Sequence, residues 1–508
     1  MENQAPISEV YDLAVIGGGI NGTGIAAEAS SRGLSTYLCE RDDLASHTSS
    51  ASSKLIHGGL RYLEHGEWRL VREALAEREI LMRKAPHLVR PLRFILPHRP
   101  HLRSAWLIRL GLFLYDHLGK RQTLAPSRHI RCDAEGPLLG DITQGFEYSD
   151  CTVDDSRLVV LNAIAAREQG AHVHTRTRCL SAHRSRGLWH LHLERADGSR
   201  YSIRASALVN AAGPWAMEVI TGRLGLESLH ALRLVQGSHL IVPRLHEGEQ
   251  AYILQHEDRR IVFAIPYQRD FTLIGTTDRD YRQDASEVRI SDDEIDYLLG
   301  ISNSYFKRQL CREDILYCFS GVRPLLAERQ GKASEATRDY HLQLDADSQG
   351  HAPLLSIFGG KLTTYRMLAV NALEKLKPWF TDLPDGNSAT LPLPGGDHDD
   401  PHALAIELLE HSPWLPHSLA HRWAWSYGSR AWRLLASACE LAELGEHLGG
   451  DLYACEVEYL MEQEWAMTAE DILWRRSKLG LHAPALHQSL EDYLHRRMTL
   501  RQSPAFTR

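Results

Sequence analysis

Three glycines near the amino terminus have the spacing needed to hold the phosphates of a dinucleotide. Gly17, Gly19 and Gly22 match the pattern G-x-G-x-x-G. The first glycine permits a tight turn, the second lets a pyrophosphate approach the backbone, and the third allows a helix to pack closely on a strand. Glu40 follows about 20 residues later, where a carboxylate can accept a hydrogen bond from a ribose hydroxyl. These residues predict dinucleotide binding, against the alternative of an ordinary glycine-rich turn.

The elements around these glycines must place them at the end of a strand. The apolar run Leu13–Ile16 predicts a buried strand, Ile20–Arg32 predicts a helix, and Leu34–Cys39 predicts a second strand that ends at Glu40. The amino terminus of such a helix offers free N–H groups and the positive end of its dipole to phosphates. The order strand, glycines, helix and strand therefore predicts an α/β fold with a βαβ unit at its start.

Composition narrows the class of protein. The chain has 508 residues, 43% hydrophobic and 24% charged, which is enough for roughly three globular domains. Its net charge of −8 argues against a general nucleic-acid binder. The eight cysteines are scattered without a C-x-x-C pair, so neither a metal site nor a disulfide framework is indicated. No apolar run reaches the roughly 18 residues of a membrane span, and the polar start of the chain predicts no signal peptide.

Four runs of sequence carry a resemblance to a known family. The runs are Ser49–Glu64, Asn210–Trp215, Ser320–Leu325 and Phe358–Arg366, and they occur in the family's order. They resemble the motifs of the FAD-dependent glycerol-3-phosphate dehydrogenases, with the aerobic, respiratory bacterial branch as the nearest match. The resemblance implies oxidation of sn-glycerol 3-phosphate to dihydroxyacetone phosphate, with a hydride passing from C2 to N5 of FAD. It also implies that the electrons continue to a membrane quinone.

The resemblance implies a Rossmann-type FAD-binding domain with an inserted β-rich substrate domain, as in D-amino-acid oxidase, followed by a helical C-terminal domain. The expected oxidoreductase region is 1–390. Its FAD-binding parts are about 11–85, 150–220 and 320–390, and its substrate or cap parts are about 86–149 and 221–319. The Pro-, Gly- and Asp-rich stretch 392–400 predicts a linker. The helical domain is expected over 391–508.

The cofactor residues implied by the resemblance lie in small-residue and hydroxyl-rich turns. Serine hydroxyls can donate to the pyrophosphate or the flavin edge, and small residues at a strand end let the backbone approach the cofactor. The turn at Gly359-Gly360 is expected to lead into a helix whose amino terminus stabilises negative charge on the flavin. The predicted cofactor-binding residues are Gly17, Gly19, Asn21, Gly22, Glu40, Ser52, Ser53, His57, Gly58, Ala212, Gly213, Gly359, Gly360, Leu362 and Thr363.

Cations are needed where a phosphate substrate binds. Arg61 and Tyr62 follow the Gly58-Gly59 turn, and the fork of an arginine suits a phosphate. Arg323 stands in an apolar turn where a charge is costly unless it is paired, so it anchors the substrate or forms half of an ion pair. Lys361 is expected to add positive charge beside the flavin or the substrate oxygen. Arg323 and Lys361 are counted among both the substrate-binding and the catalytic residues.

Loss of a hydride from C2 requires a base for the proton of the C2 hydroxyl. Histidine suits this role near neutral pH, and His239 and His57 are the candidates among 28 histidines. His239 stands at the head of a predicted strand and fits the substrate-facing position of the family, so it is the predicted catalytic base. His57 is left as an alternative that is nearer to the flavin.

The segment 97–121 combines basic and apolar residues. Its apolar part, Ala105–Tyr115, is too short to span a bilayer, which takes about 20 residues. A basic amphipathic helix with aromatic residues can instead lie in the membrane interface and be attracted by anionic lipid. The alternative is a core helix with basic flanks.

The expected partners are glycerol 3-phosphate, a membrane quinone and an anionic membrane surface, without nucleic acid; a homodimer is compatible with the sequence. The expected location is the cytoplasm, peripherally on the cytoplasmic face of the inner membrane. An oxidase of the same substrate that uses oxygen would not need the membrane contact. A non-catalytic flavin-binding redox sensor would keep the glycine motif but would not need Arg61, Arg323 and Lys361 together.

Overall fold

The computed structural model describes residues 10–119, 122–227, 231–258, 260–326 and 339–502. In chain order the strands are β1 Val10–Ile16, β2 Thr36–Cys39, β3 Leu55–Ile56, β4 Val89–Pro97, β5 Arg128–Arg131, β6 Gln144–Val153, β7 His172–His174, β8 Thr177–Ser185, β9 Leu188–Arg195, β10 Arg200–Asn210, β11 Leu232–Pro243, β12 Ala251–Gln255, β13 Ile261–Tyr267, β14 Phe271–Gly275, β15 Arg279–Tyr281, β16 Tyr317–Leu326, β17 His341–Asp345, β18 Leu354–Phe358, β19 His447–Gly449 and β20 Leu452–Tyr453. The helices are α1 Ile20–Ser31, α2 Trp68–Lys84, α3 Ala105–Leu118, α4 Asp155–Glu168, α5 Ala216–Glu218, α6 Asp292–Asn303, α7 Tyr365–Leu376, α8 Pro401–His411, α9 His417–Tyr427, α10 Ala431–Leu435, α11 Ala454–Gln463, α12 Leu479–His482 and α13 Leu486–Gln502.

The first sheet has the strand order β17-β18-β10-β1-β2-β7, and β18, β10, β1, β2 and β7 run parallel. Helices α1, α4 and α7 pack together on one face, where Leu13 and Val15 are buried. The hairpin β8–β9 covers the other face, where Ala14 and Ile16 are buried. This alternation follows from the period of two of a strand, and burial on both faces explains why the run is apolar throughout. The predicted Rossmann-type architecture is confirmed.

The second sheet has the order β15-β11-β14-β13-β12-β4-β6-β3, with β16 paired to β11 and β5 to β6. Helix α3 packs on one face and α6 on the other. The long antiparallel pair β11–β16 sets His239 opposite Phe319, and β14 sets Gly275 on its other side. The sheet includes β3 and β16, whose residues fall in the segments expected to bind the cofactor. These strands carry the chain from the first sheet into the second.

Two helices begin later than the sequence predicts. The amphipathic pattern of Glu64–Lys84 predicts a helix over that run, but the helix starts at Trp68, because Leu60–His65 forms a 3-10 turn bounded by Gly59 and Gly66 at φ of 76° and 74°. The helix expected from Lys361 starts at Tyr365, after another short 3-10 turn. In both places the chain turns tightly beside the cavity described below, which residues 60–64 and 362–363 line.

The C-terminal region is helical and has its own core, formed mainly by α8 to α13. Buried ion pairs attach it to the first sheet. The guanidinium of Arg476 lies 2.8 Å from a carboxylate oxygen of Asp43, which also pairs with Arg475 at 2.7 Å. Arg157 of α4 pairs with Glu464. Within the described ranges, no helix is both long and apolar enough to cross a membrane.

Candidate active site

The glycine turn after β1 is closed to side chains at two positions and open at a third. A Cβ on Gly22 would lie 1.9 Å from the carbonyl oxygen of Gly17, and one on Gly17 would lie 2.5 Å from the carbonyl oxygen of Ala211. Gly17 also has a φ of 116°, which favours glycine. A Cβ on Gly19 would meet only the Ser49 hydroxyl, at 3.0 Å. Gly17 and Gly22 are therefore needed for the turn itself, and Gly19 leaves room beside it.

A crevice of about 170 Å³ runs along this turn. Asn21 joins helix α1 to the second glycine turn, because its Nδ2 donates to the carbonyl of Gly359 at 3.0 Å. Its Oδ1 is buried and has no hydrogen-bond partner among the described residues. Predicted cofactor residues on the crevice wall are Gly17, Gly19, Asn21, Glu40, Ala212, Gly213, Gly359 and Gly360.

Glu40 is held in place by the backbone around it. One carboxylate oxygen accepts the N–H of Gly18 at 2.6 Å, and the other accepts the N–H of Asp42 at 2.8 Å. Burial raises the pKa of Glu40, while these two backbone donors and the nearby His47 lower it. The carboxylate lies at the crevice wall as the sequence predicts, and it keeps lone pairs for a further donor.

The crevice continues into a chamber of about 480 Å³, and Ile20, Ser49 and Gly360 line both. The chamber gathers side chains from distant parts of the chain: Ser52, Ser53, His57, Arg61, Tyr62, His239, Arg323, Lys361, Leu362 and Thr363. Gly58 is not among its lining residues. Its N–H donates to the Tyr115 hydroxyl at 2.8 Å, and a Cβ there would lie 2.6 Å from Leu75. Gly58 therefore shapes the wall from behind.

The loop before β3 is fixed by a buried carboxylate. The Ser52 hydroxyl donates to Asp155 at 2.7 Å, and the Lys54 ammonium pairs with the same carboxylate at 2.8 Å. Just after β3, the His57 N–H donates to the Thr363 hydroxyl at 3.3 Å. The loop that lines the chamber is thus tied to helix α4 and to the turn before α7.

His239 lies in the chamber wall as a neutral imidazole. Its Nε2 is 2.9 Å from the Ser53 hydroxyl, and its ring stacks on Phe319 with centroids 4.9 Å apart. Only 2% of the residue is exposed. Burial lowers the pKa of His239 well below 6.5, and the positive charges of Arg323 and Lys54 lower it further. On the opposite side, a Cβ at Gly275 would lie 2.1 Å from the imidazole, so only glycine leaves room for the ring.

Four cationic residues line the chamber, and they differ in their partners. Arg103 pairs with Glu64 at 2.8 Å. Arg323 lies 2.5 Å from a carboxylate oxygen of Asp278 and 3.1 Å from the Thr276 hydroxyl. The Lys361 ammonium stands over the Tyr62 ring, 3.7 Å from its centroid. Arg61 makes no hydrogen bond or ion pair with any described residue. The chamber therefore offers two cations paired with acids, one against an aromatic ring and one, Arg61, without a counter-ion among the described residues.

Sequence reasoning did not find Asp278, Thr276 or Gly237. Arg323 packs against Gly237. A Cβ on Gly237 would be 2.3 Å from Nη2 of Arg323 and 2.6 Å from the Thr276 hydroxyl. The run Gly-Thr-Thr-Asp at the end of β14 is a weak signal in the sequence. These residues reach Arg323 only because β11 pairs with β14 and β16, and the sequence alone does not predict that pairing.

Helix α3 has two apolar faces. Ile108, Leu112 and Tyr115 are buried in the core. Trp106 is 67% exposed and Phe113 57% exposed, and Leu107 and Leu110 are exposed beside them. The core alternative for Ala105–Tyr115 therefore holds for the buried face of the helix, and membrane contact through the exposed face stays a prediction. Leu107, Leu110, Gly111 and Leu114 of this helix line an apolar part of the chamber, called the apolar arm below.

The basic residues near α3 are not all available to lipid. Arg103 pairs with Glu64 at 2.8 Å and also donates to Gln255. Arg109 is exposed and makes no ion pair with any described residue. Lys120 and Arg121 fall outside the described residues. The electrostatic attraction expected of this segment therefore rests on fewer charges than the sequence suggests.

Residues 12–366 match the family described as FAD dependent oxidoreductase, and residues 387–495 match the C-terminal domain of alpha-glycerophosphate oxidase. The chain belongs to the FAD-dependent oxidoreductases. Glycerol-3-phosphate dehydrogenase of Pseudomonas aeruginosa is 63% identical over 96% of both chains, and the aerobic enzyme of Escherichia coli is 51% identical over 97% of this chain and 99% of its own. D-erythritol 1-phosphate dehydrogenase of Brucella abortus is 50% identical over 93% of this chain and 95% of its own.

A solved structure extends the comparison to the whole fold. The glycerol-3-phosphate dehydrogenase of Bacillus halodurans, complexed with FAD, superposes with a TM-score of 0.75 over 97% of this chain and 91% of its own, at 27% identity. The family resemblance inferred from four motifs is confirmed, and FAD is the cofactor of this family. The crevice fits that cofactor, because its wall has glycines that leave no room for a side chain and, among the described residues, an Asn21 amide oxygen without a hydrogen-bond partner.

Proposed function

We propose that this chain oxidises sn-glycerol 3-phosphate to dihydroxyacetone phosphate and passes the electrons to a membrane quinone. One observation carries the proposal: a buried histidine and four cations, Arg61, Arg103, Arg323 and Lys361, line a chamber that shares wall residues with the dinucleotide crevice. The names of relatives at 63% and 51% identity support the same substrate. Bound FAD supplies the acceptor, N5, for the hydride that leaves C2 of the substrate.

The crevice residues would hold the cofactor through backbone and helix-terminus contacts. Gly17, Gly19 and Gly22 bring the start of α1 close to a pyrophosphate, whose charge the helix dipole favours. Glu40 stands where a ribose hydroxyl can donate to it. Gly359 and Gly360 adopt φ of 77° and 107°, so the second turn can approach the cofactor closely.

His239 would take the proton of the C2 hydroxyl. Its imidazole is neutral, because burial holds its pKa well below 6.5. The hydrogen bond between its Nε2 and the Ser53 hydroxyl fixes the orientation of the ring. Arg323 lies on the same side of β11, above Gly237, and would stabilise the negative charge that develops on the oxygen. His57 packs its ring against Phe263, with centroids 6.2 Å apart, and remains the alternative base.

A phosphate binds to positively charged side chains. Arg61 makes no ion pair with any described residue, and the Lys361 ammonium stands over the ring of Tyr62, which follows Arg61 in the chain. A guanidinium can bind two phosphate oxygens at once. We therefore assign phosphate binding to Arg61, Tyr62 and Lys361.

The exposed side of α3 supports a membrane acceptor. Trp106, Leu110 and Phe113 would leave water in a lipid interface, and each Å² of buried apolar surface contributes about 25 cal/mol. The apolar arm beneath the helix leads from this surface toward the chamber, which suits an apolar quinone. The chain would then lie peripherally on the cytoplasmic face of the inner membrane.

Anaerobic titration tests the reaction itself. Purified holoenzyme is mixed with sn-glycerol 3-phosphate, and the flavin absorbance is followed. We expect it to bleach, with one dihydroxyacetone phosphate formed per flavin. An unchanged spectrum would leave a flavin-binding redox sensor as the better explanation. Rapid reoxidation by air, with hydrogen peroxide formed, would instead identify an oxidase.

Paired variants of α3 test the membrane contact. Trp106→Ser with Phe113→Ser removes exposed side chains, and we expect release from anionic liposomes with activity toward a soluble acceptor unchanged. Ile406→Ser, which alters another exposed residue, is the matched control. Leu112 is unsuitable because it is only 2% exposed and belongs to the core. Sedimentation of the double variant with liposomes would exclude this face as the contact.

A further substitution tests the acceptor path. A Cβ on Gly111 would be 3.9 Å from Leu60, so Gly111→Leu would fill the apolar arm without a backbone clash. We expect the rate with a long-chain quinone in membranes to fall while reduction of a soluble acceptor persists. Equal loss with both acceptors would mean that the arm is not the path of the quinone.

A further inference from the structure

The chamber lining contains an ion pair as well as cations. Arg323 pairs with Asp278 at 2.5 Å, and the side chains are 26% and 9% exposed. Both residues line the chamber, as does Thr276, whose hydroxyl accepts a hydrogen bond from Arg323. The pair has no net charge, and its acid faces the space that a substrate would occupy.

Arg61 also lines the chamber. It is half-buried and makes no ion pair or hydrogen bond within the described part of the chain. A phosphate dianion is attracted to an uncompensated cation and repelled by a carboxylate at close range. It should therefore bind toward Arg61, and the opposite end of the substrate should face the Arg323–Asp278 pair.

A carboxylate selects a donor. An ionised aspartate has only acceptor sites, about four of them, so it can hold Arg323 and still accept a substrate hydroxyl. Hydrogen bonds to a charged group are stronger than those between neutral groups. A methyl in place of the hydroxyl would leave a polar group of the site without its intended partner, which disfavours substrates that lack the hydroxyl.

We propose that Asp278 is a specificity-determining residue that accepts a hydrogen bond from the free hydroxyl of a polyol phosphate, at the end opposite the phosphate. The proposal rests on the proposed function for the class of substrate. It also fixes the direction of the substrate: phosphate toward Arg61, the reacting carbon beside His239, and the free hydroxymethyl group toward Asp278.

The test compares two substrates that differ by that hydroxyl. They are sn-glycerol 3-phosphate and 2-hydroxypropyl phosphate, which keeps the phosphate and the reacting alcohol but ends in a methyl group. Holoenzyme is assayed with a soluble acceptor. We expect wild-type kcat/KM to favour glycerol 3-phosphate by about ten- to a hundred-fold, the usual effect of losing a hydrogen bond to a charged group. In Asp278→Asn this ratio should fall by about tenfold.

Asp280→Asn is the matched control. Asp280 lies two residues along the chain, its side chain is 50% exposed, and it pairs with Arg233 outside the chamber. We expect the wild-type ratio in this variant. A general loss of order near β15 would lower the rates with both substrates alike and would leave their ratio unchanged.

Binding without turnover gives a second readout. Dihydroxyacetone phosphate and hydroxyacetone phosphate differ by the same hydroxyl, and their affinities can be measured from the perturbation of the flavin spectrum. Wild type should prefer the first and Asp278→Asn should lose most of that preference. Arg61→Ala should weaken the binding of glycerol 3-phosphate far more than the binding of unphosphorylated glycerol.

Several results would overturn the proposal. A wild-type preference below about threefold would do so without any variant, because it is too small for a hydrogen bond to a charged group. An unchanged ratio in Asp278→Asn that retains its flavin would do so too.

The direction of the substrate has its own test. If Asp278→Asn instead increased the preference for glycerol 3-phosphate over unphosphorylated glycerol, the substrate would bind in the reverse direction. If Asp278→Asn lost its flavin, Asp278→Glu would serve in its place. Failure of glycerol 3-phosphate to bleach the flavin would refute the proposed function instead, so the two failures are distinguishable.

Discussion

The dinucleotide crevice and the substrate chamber share part of one wall but are built in different ways. The crevice depends on backbone: Gly17, Gly19 and Gly22 lie within a single turn, and their effect comes from having no side chain. The chamber depends on side chains that four separate segments bring together, among them Ser53, His239 and Arg323. The first kind of site is set by spacing along the chain, and the second by the register of a sheet. Substitutions in the two regions should therefore fail in different ways.

The largest effect is expected in the crevice. Gly22→Ala would place a methyl group 1.9 Å from the carbonyl oxygen of Gly17, and neither backbone segment can move freely. Overpacking of this kind costs about 1–3 kcal/mol, occasionally more. We expect a protein without FAD and with a lower unfolding temperature, measured by flavin absorbance per chain and by thermal denaturation.

Gly19→Ala separates cofactor binding from folding. Its methyl group would meet only the Ser49 hydroxyl at 3.0 Å, so the turn can keep its shape while the space beside it is reduced. We expect FAD to be lost with little change in the unfolding temperature of the apoprotein. Full flavin content in this variant would show that the cofactor does not approach Gly19, and the backbone account of the crevice would fail.

The next effect belongs to the chamber and should spare the cofactor. In Gly237→Ala a methyl group would lie 2.3 Å from Nη2 of Arg323, and the end of this flexible side chain can move away. Displacing it breaks charge-assisted contacts, so we expect kcat/KM for glycerol 3-phosphate to fall by about ten- to a hundred-fold. Flavin content should equal that of wild type.

Gly300→Ala is the control for this substitution. Gly300 lies inside α6 with open space around it, and alanine there favours a helix. Wild-type kinetics are expected. If Gly237→Ala lost its flavin while Gly19→Ala kept it, the division of labour between the two regions would be reversed.

This division also explains how far the sequence could be interpreted. The βαβ unit between Leu13 and Glu40 could be predicted, because its apolar strands, helix and glycines are adjacent in the chain. The partner of Arg323 could not be foreseen. Asp278 reaches it only because β11 pairs with β14 on one side and β16 on the other. Gly58 shows the converse, since a glycine beside a recognised motif packs against Tyr115 rather than lining the cavity.

Ser53→Ala should have a smaller effect. It removes the contact of 2.9 Å that orients His239 but leaves the loop tied to Asp155 through Ser52 and Lys54. A hydrogen bond between neutral groups is worth about 0.5–1.5 kcal/mol, which corresponds to roughly a two- to tenfold lower rate of flavin reduction. Ser50→Ala is the control, because its hydroxyl bonds back to His47. A loss of a hundred-fold or more would indicate that Ser53 itself carries the proton.

The smallest expected effect is that of pH on the chamber. A base must be unprotonated, and burial together with the charges of Arg323 and Lys54 holds the pKa of His239 well below 6.5. The rate of flavin reduction at saturating substrate should therefore change by less than about twofold between pH 6 and 8, because the imidazole is already neutral throughout that range. Saturation removes the ionisation of the free substrate phosphate, whose second pKa is about 6, from the profile.

Arg323→Gln removes one of the two cations that lower the pKa of His239. It should therefore raise that pKa and move the acid limb of the pH profile to higher pH, while lowering the rate. An acid limb near pH 6.5 in the wild type would contradict the assignment of His239 as the proton acceptor.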